Sequence, residues 1–525
     1  MLALDYLSPL PPVRSGIADY SVDLLPHLEP LVDLRVMALP EQPISPEVEA
    51  RWHPVPAERT GEGGRLPLYH MGNNRYHEPI WRLALERPGV VLLHDLVLHH
   101  FLLDRTVGAG DFEAYREAMT QEHGRIGRAA AQPIRWGAFG RAAQFFLPAH
   151  RSLLRRQRGV VVHGEWAAAV LAEEDPELAV RVVPMPIPLP AGADEAAGRA
   201  FRAAHGIPLA APLLGSFGFQ TPIKRTEVAI AALARPGLEQ VHLLVAGELS
   251  PYAGYERLAE ELAVRERVHV TGFLPFAELD AAIAATDLCL NLRYPSAGET
   301  SASLLRILAV GRPVVVSQYA DLGDLPPDVA LVIAPGEAEA DELAAALDRL
   351  FHHPESLRAM GARARAHVER EHDPARAARL LVERLGELAH LAAPGDAAPR
   401  EVSRTSALVA DLPGAIEIGG LSGWRPGERR CLDVTVENRS DCRWLASHVL
   451  PGGVIFEVQL WSEGRDLFLG RPWLKLPEDL PPGESHRFAL EIRRPIAEAR
   501  LLVKPTVQWT DGHRPFASWE WDRWL

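Results

Sequence analysis

The stretch Asn291 to Ser317, NLRYPSAGETSASLLRILAVGRPVVVS, constrains this chain more than any other. An apolar run, Asp287-Leu288-Cys289-Leu290, leads into it and reads as a buried strand. Tyr294 to Gly298 then breaks the pattern, because Pro295 and Gly298 are loop formers. From Thr300 onwards Leu304, Leu305, Ile307, Leu308 and Val310 fall at helical spacing, with Thr300 or Ser301 suited to cap the helix. Gly311-Arg312-Pro313 stops it, and Val314-Val315-Val316 reads as the next strand. Strand, small-residue loop and helix N-terminus together make an anion site, since unpaired N–H groups and the helix dipole face the loop. Glu299 stands in that loop, placed to accept hydrogen bonds from sugar hydroxyls. The plain alternative is an ordinary βαβ crossover with a solvated glutamate.

The same unit recurs along the chain. Leu2 to Leu7 is strand-like and ends in Pro9-Leu10-Pro11-Pro12-Val13-Arg14-Ser15-Gly16, before a helix with Ile17, Tyr20, Leu24 and Leu25 on one face. Gly16 allows close backbone approach at that helix start. Strands at Leu66–Tyr69 and Val90–Leu93 each run into a histidine, His70 and His94, and Val160-Val161-Val162 runs into His163. Catalytic groups gather at the carboxyl ends of parallel strands. His94 beside Asp95 is therefore the candidate for orienting an acceptor hydroxyl or stabilising charge, or else a buried, hydrogen-bonded histidine. A metal site from His94, His99 and His100 is disfavoured, because adjacent residues point different ways on a helix. After a linker, Pro188 to Ala193, a second series opens at Leu213 to Gly218, with Lys224 and Arg225 before the next helix. A cation there can neutralise a diphosphate. Alternating strands and helices predict an α/β fold of two Rossmann-like domains, 1–188 and 189–392.

Length and composition agree. At 525 residues the chain holds two to four domains. A net charge of −14 argues against nucleic acid as the main partner. Cys289, Cys431 and Cys442 make no metal or disulfide framework. No apolar run reaches the roughly 18–20 residues that span a bilayer, and the first residues lack a basic leader, so a cytoplasmic location is expected. Between Gly124 and Arg158, arginines alternate with Trp136, Phe139, Phe145 and Phe146. That suits a peripheral membrane contact or a lipid-linked acceptor, or else a helix pair with a solvated basic face.

Beyond Ala392 to Pro399 helical spacing gives way to short alternating runs, Cys431 to Val436, Val454 to Leu460, Phe488 to Ile492 and Leu501 to Trp509. These predict an all-β sandwich over 400–525. Trp444, Trp461, Trp473, Trp509, Trp519, Trp521 and Trp524 are candidates for stacking on sugar rings or for core packing.

Pro295-Ser296, Glu299 and Ala309-Val310-Gly311-Arg312-Pro313-Val314 resemble the donor segment of family-4 retaining glycosyltransferases, enzymes of the two-domain GT-B fold. The family pattern is P-S-x-x-E-x7-E followed by a helix ending A-x-G-x-P-V. The second glutamate, which holds the nucleotide ribose in the family, is absent: Arg306 or Ile307 stands there, depending on which end is counted from. Gly218 and Lys224 resemble the family's diphosphate-binding G-R-x-x-x-x-K-G, with Phe219 in place of the arginine and Arg225 in place of the last glycine. The resemblance covers about residues 1–390. It implies a nucleotide-sugar donor, a saccharide or lipid-linked acceptor, and no metal or other cofactor. It implies Glu299 and His94 as catalytic residues, and Gly16, Lys224, Arg225, Gly298, Thr300, Ser301 and Arg306 on the donor. The tail resembles immunoglobulin-like modules appended to polysaccharide-assembly proteins. Phe219 and Arg306 also admit a catalytically weakened binding protein on the same fold.

Overall fold

Runs such as Val90–Leu93 and Val314–Ser317 are buried along their whole length, and such strands persist only where helices cover both faces of a sheet. The computed structural model builds two such sheets. It describes residues 1–135, 144–145, 147–251, 253–336, 338–395, 404–406, 412–447, 453–462, 468–470, 473–494, 499–509, 512–515 and 521–524.

The first sheet contains β1 (Ala3–Leu7), β2 (Asp33–Ala38), β3 (Val55–Pro56), β4 (Leu66–Met71), β5 (Val90–Leu93), β6 (Gly159–Val162) and β7 (Val180–Val182). Its order is β3-β2-β1-β4-β5-β6-β7, with every pairing parallel. The second contains β8 (Leu213–Phe217), β9 (His242–Ala246), β10 (Val268–Gly272), β11 (Leu288–Asn291), β12 (Val314–Ser317) and β13 (Ala330–Ile333). It runs β10-β9-β8-β11-β12-β13, again all parallel. Each sheet reverses direction once, between β1 and β4 and between β8 and β11. In doubly wound sheets the crevice at that switch point is where ligands bind, because the two following loops diverge there. The expected pair of Rossmann-like domains is what the chain forms.

The C-terminal helix of this region, Pro374–Leu388, returns to the first domain. Leu381, Leu385 and Leu388 are buried in one apolar cluster with Tyr20, Leu24 and Leu28 of the helix Gly16–Leu28. His372 Nδ1 donates to Met185 O at 2.8 Å, and Ile187 N donates to His372 O at 3.0 Å. Both sheets therefore lie in one compact unit, Met1–Tyr115 with Pro148–Ala397.

The second unit groups Arg116–Leu147 with Ala398–Leu525. Most of its strands are antiparallel in two sheets, one from Gly414–Gly419, Arg429–Asn438 and Ser485–Arg493, the other centred on Val454–Ser462 and Ala499–Trp509, while Arg404–Thr405 and Cys442–Arg443 form a separate parallel pair. Trp444 is fully buried in their shared core with Phe456, Val434 and Leu501, so it packs and offers no face to a sugar. Trp519 lies outside the described residues.

Trp136, Phe139 and Phe146 also lie outside them, so of the four aromatics in the basic stretch only Phe145, half-buried, is described. Part of its basic half is spent internally. Buried Arg155 pairs with Asp175 and, at 2.7 Å, with Glu177, while Arg158 Nη1 donates to Ala389 O. Among the described residues no helix is long and apolar enough to cross a membrane.

Candidate active site

Two loops leave the carboxyl ends of β8 and β11 at the second switch point. In the first, Gly218 takes φ +94°, and a Cβ there would sit 3.1 Å from Lys224 Nζ, so only glycine lets the lysine fold back. Lys224 ends a single 3-10 turn, Pro222–Lys224, and is 9% exposed. Its Nζ donates to Phe217 O at 2.7 Å and to Ser303 Oγ at 3.2 Å. Burial, then the neighbouring charge of Arg293, hold its pKa well below the ordinary lysine range, while Glu299 pulls the other way.

The second loop closes on itself before the helix Ala302–Val310. Ser296 Oγ accepts from Gly298 N at 3.0 Å and donates to Glu299 Oε2 at 2.8 Å. Arg293 Nη1 donates to Glu299 Oε1, and Arg293 Nη2 to Ser301 Oγ at 3.0 Å. Ser301 is the N-cap and accepts from Leu304 N at 3.2 Å. Thr300 lies half-buried between Glu299 and the cap. Tyr294 N donates to Ile223 O at 3.0 Å, which ties this loop to the lysine turn. The result is a carboxylate, two basic side chains and a serine-capped helix N-terminus on one ledge.

The first domain presses on that ledge. Val97 N donates to Ala297 O at 2.8 Å. Gly298 holds φ +73°, and a Cβ on it would lie 2.6 Å from Leu96 Cβ and 3.0 Å from Trp166 Cζ3. Asp95, just before Leu96, is half-buried and accepts from Asn73 N at 2.8 Å. Burial, then the charge of Glu299, push its pKa up to about 7 against the pull of the Asn73 N–H and Arg293.

Sequence reasoning thus placed Glu299, Lys224, Gly298, Thr300 and Ser301 on two loops that do meet. It missed Arg293 and Ser303. The arginine lies between a strand end and the proline of the loop, and that spacing was the available signal.

Three expected residues are differently engaged. Arg225, at φ +53°, pairs with Glu339, donating from Nη2 and, at 2.6 Å, from Nε to the same Oε2. Arg306 makes a bidentate pair with Asp280, at 2.6 and 3.0 Å, and lies 4.2 Å over the Phe276 ring. Its charge reaches Asp19 and Asp23 of the first domain, where burial pushes Asp23 up to about 6. Gly16 starts its helix, and no protein atom lies within 4 Å of a Cβ position there.

His94 faces imidazoles rather than Asp95. His163 Nδ1 donates to Val183 O at 2.9 Å, which leaves its Nε2 to accept from His94 Nδ1 at 3.3 Å. His94 Nε2 then accepts from His70 Nδ1 at 3.0 Å. Both nitrogens of His94 are spent. Burial lowers the pKa of all three rings, so the chain is neutral at pH 7.

Known proteins resemble this arrangement at two levels. Residues 225–383 match the family model described as glycosyl transferase-like. A curated mannosyltransferase of Mycolicibacterium hassiacum, named as an MMP alpha-(1->4)-mannosyltransferase, is 32% identical over 145 residues. That alignment spans 27% of this chain and 34% of the relative's length. Sucrose-phosphate synthase from Thermosynechococcus elongatus superposes with a TM-score of 0.51 at 17% identity, over 73% of this chain and 98% of its own. The chain thus has the GT-B fold, and from residue 225 to 383 it is similar to glycosyl transferase-like proteins.

Proposed function

We propose that this chain is a retaining, metal-independent glycosyltransferase that moves a sugar from a nucleotide-sugar donor to a saccharide or lipid-linked acceptor. One observation carries the reading. Glu299, buried Lys224 and the capped N-terminus of the 302–310 helix share one switch point inside the stretch of glycosyl transferase likeness or at its edge.

In such a transfer the bond from the anomeric carbon to the diphosphate lengthens, and negative charge grows on the departing phosphate. Lys224 and the helix N-terminus lie where that charge develops, and interactions that strengthen there lower the barrier. Glu299 has lone pairs beyond those facing Arg293 and Ser296, and accepts from hydroxyls of the donor sugar. Asp95 takes the acceptor-side role first expected of His94, whose nitrogens are occupied. Its carboxyl, poised near neutral pH across from Glu299, orients the incoming hydroxyl.

The test is release of nucleoside diphosphate from a panel of UDP-, GDP- and ADP-linked hexoses. Glu299→Gln and Lys224→Met, which keeps the apolar stem, should each lower turnover by about 10²–10³. Near-normal turnover in either removes that residue from the mechanism. A binding-only protein on the same fold is the second reading, favoured by the 55% exposed Phe219 and by the commitment of Arg225 to Glu339. It requires nucleotide-sugar binding with no diphosphate released.

A further inference from the structure

The family resemblance supplies one cation, Lys224, where the pattern has two. Phe219 replaces the arginine, and Arg225 is spent on Glu339. Arg293 stands on the neighbouring strand end. Its backbone N–H donates to Ser317 Oγ at 2.9 Å, which fixes the residue at the base of the loop. Its side chain is 11% exposed. Of the five guanidinium donors, Nη1 reaches Glu299 and Nη2 reaches Ser301, whereas Nε is buried with no hydrogen-bond partner among the described residues.

The neighbouring hydroxyls carry the same surplus of donors. Ser303 Oγ accepts from Lys224 Nζ at 3.2 Å and from Asn291 Nδ2 at 3.1 Å, so its own proton goes to Ser301 Oγ at 3.2 Å. Ser301 Oγ is then approached by three donors, Arg293 Nη2, Leu304 N and Ser303 Oγ, with two lone pairs to meet them. Charge points in the same direction, because burial and Arg293 disfavour the positive form of Lys224. Buried donors and buried positive charge are costly until matched. An anion with several oxygens matches both, and guanidinium suits phosphate because it offers parallel donors.

We infer that Arg293 is the second cation of the diphosphate subsite, donating to the pyrophosphate of a nucleoside diphosphate opposite Lys224. The inference rests on the nucleotide-sugar reading above. Arg293 thus stands in for the arginine missing at Phe219, from a different loop and the adjacent strand. Glu299 stays beside it and holds the sugar, so one side chain joins the two halves of the donor.

The experiment is calorimetric titration of the full chain with UDP, GDP, ADP and dTDP, repeated with the monophosphate of whichever base binds. Arg293→Gln should weaken the diphosphate by about 10- to 100-fold, the worth of one charged hydrogen bond. It should weaken the monophosphate less. Glu299→Gln should leave diphosphate affinity within about threefold, since its partner is the sugar. If Arg293→Gln binds diphosphate like wild type, the inference falls while the parent reading stands. It also falls if Glu299→Gln loses as much as Arg293→Gln, because Arg293 would then act only by holding the glutamate. Wild-type chain that binds none of the four overturns both readings. Should Arg293→Gln melt early, Arg293→Lys keeps charge but loses the fork; a several-fold loss supports the assignment, and no loss overturns it.

Discussion

Asp95 sits between Asn73 and Glu299 with its pKa pushed up from 3.8 to about 7, mainly by burial. If it must be ionised to take up an acceptor hydroxyl, turnover should rise through pH 7, and Asp95→Asn should flatten that limb. Stability should respond with the opposite sign. Folded Asp95 holds its proton up to about pH 7 while the unfolded chain releases it near 3.8, so folding is progressively disfavoured across that interval and the penalty levels off above it. Asp95→Asn should therefore gain in melting temperature over wild type as pH rises from about 4 to 7, and hold the gain at pH 8. A gain that shrinks with pH would show that the carboxyl is not desolvated. The buried imidazoles behave conversely. His77 and His163 are lowered from 6.5 to about 4, so their contribution is complete above 6.5 and is lost as pH falls through that window.

At the scale of elements, strands and their carboxyl-terminal loops were legible in the sequence because parallel strands are continuous apolar runs broken by proline and glycine. The helix after Glu299 begins where its cap was expected, at Ser301. Partners were not legible, because topology chooses them. His94 and His163 each follow an apolar strand and His70 lies one residue before the end of its own, but they meet only because β4, β5 and β6 are neighbours in the sheet. Arg225 finds Glu339, and Arg306 finds Asp280, across intervals that no periodicity marks. Gly298 combines both kinds of information: a loop glycine by sequence, a contact by fold. Gly298→Ala places a Cβ at positive φ, which costs about 1–3 kcal/mol, and drives it against Leu96. Turnover should drop more than tenfold, a loss of about 1.4 kcal/mol or more in the barrier, with a modest fall in melting temperature. Wild-type turnover would mean that the loops do not need to touch.

For the whole molecule, every residue assigned to donor or acceptor lies before residue 307, in the unit that holds both parallel sheets. A chain ending at residue 395 should therefore keep its nucleotide affinity, measured by titration, and its cooperative melting. Loss of binding in a folded truncation would give the β-rich region a part in the site. Of that region's tryptophans, Trp424 and Trp444 lie in its core.

The bond from Val97 N to Ala297 O, with Leu96 seated against Gly298, makes the donor loop a surface of the domain interface itself. Prising the domains apart would remove the wall that holds Glu299's loop in shape. How far the jaws are closed and how well the sugar is gripped are then a single coordinate. On the proposed function, a molecule stapled shut at Ala297 would be preformed for its donor yet barred from exchanging it, and each turnover would unfasten that staple once.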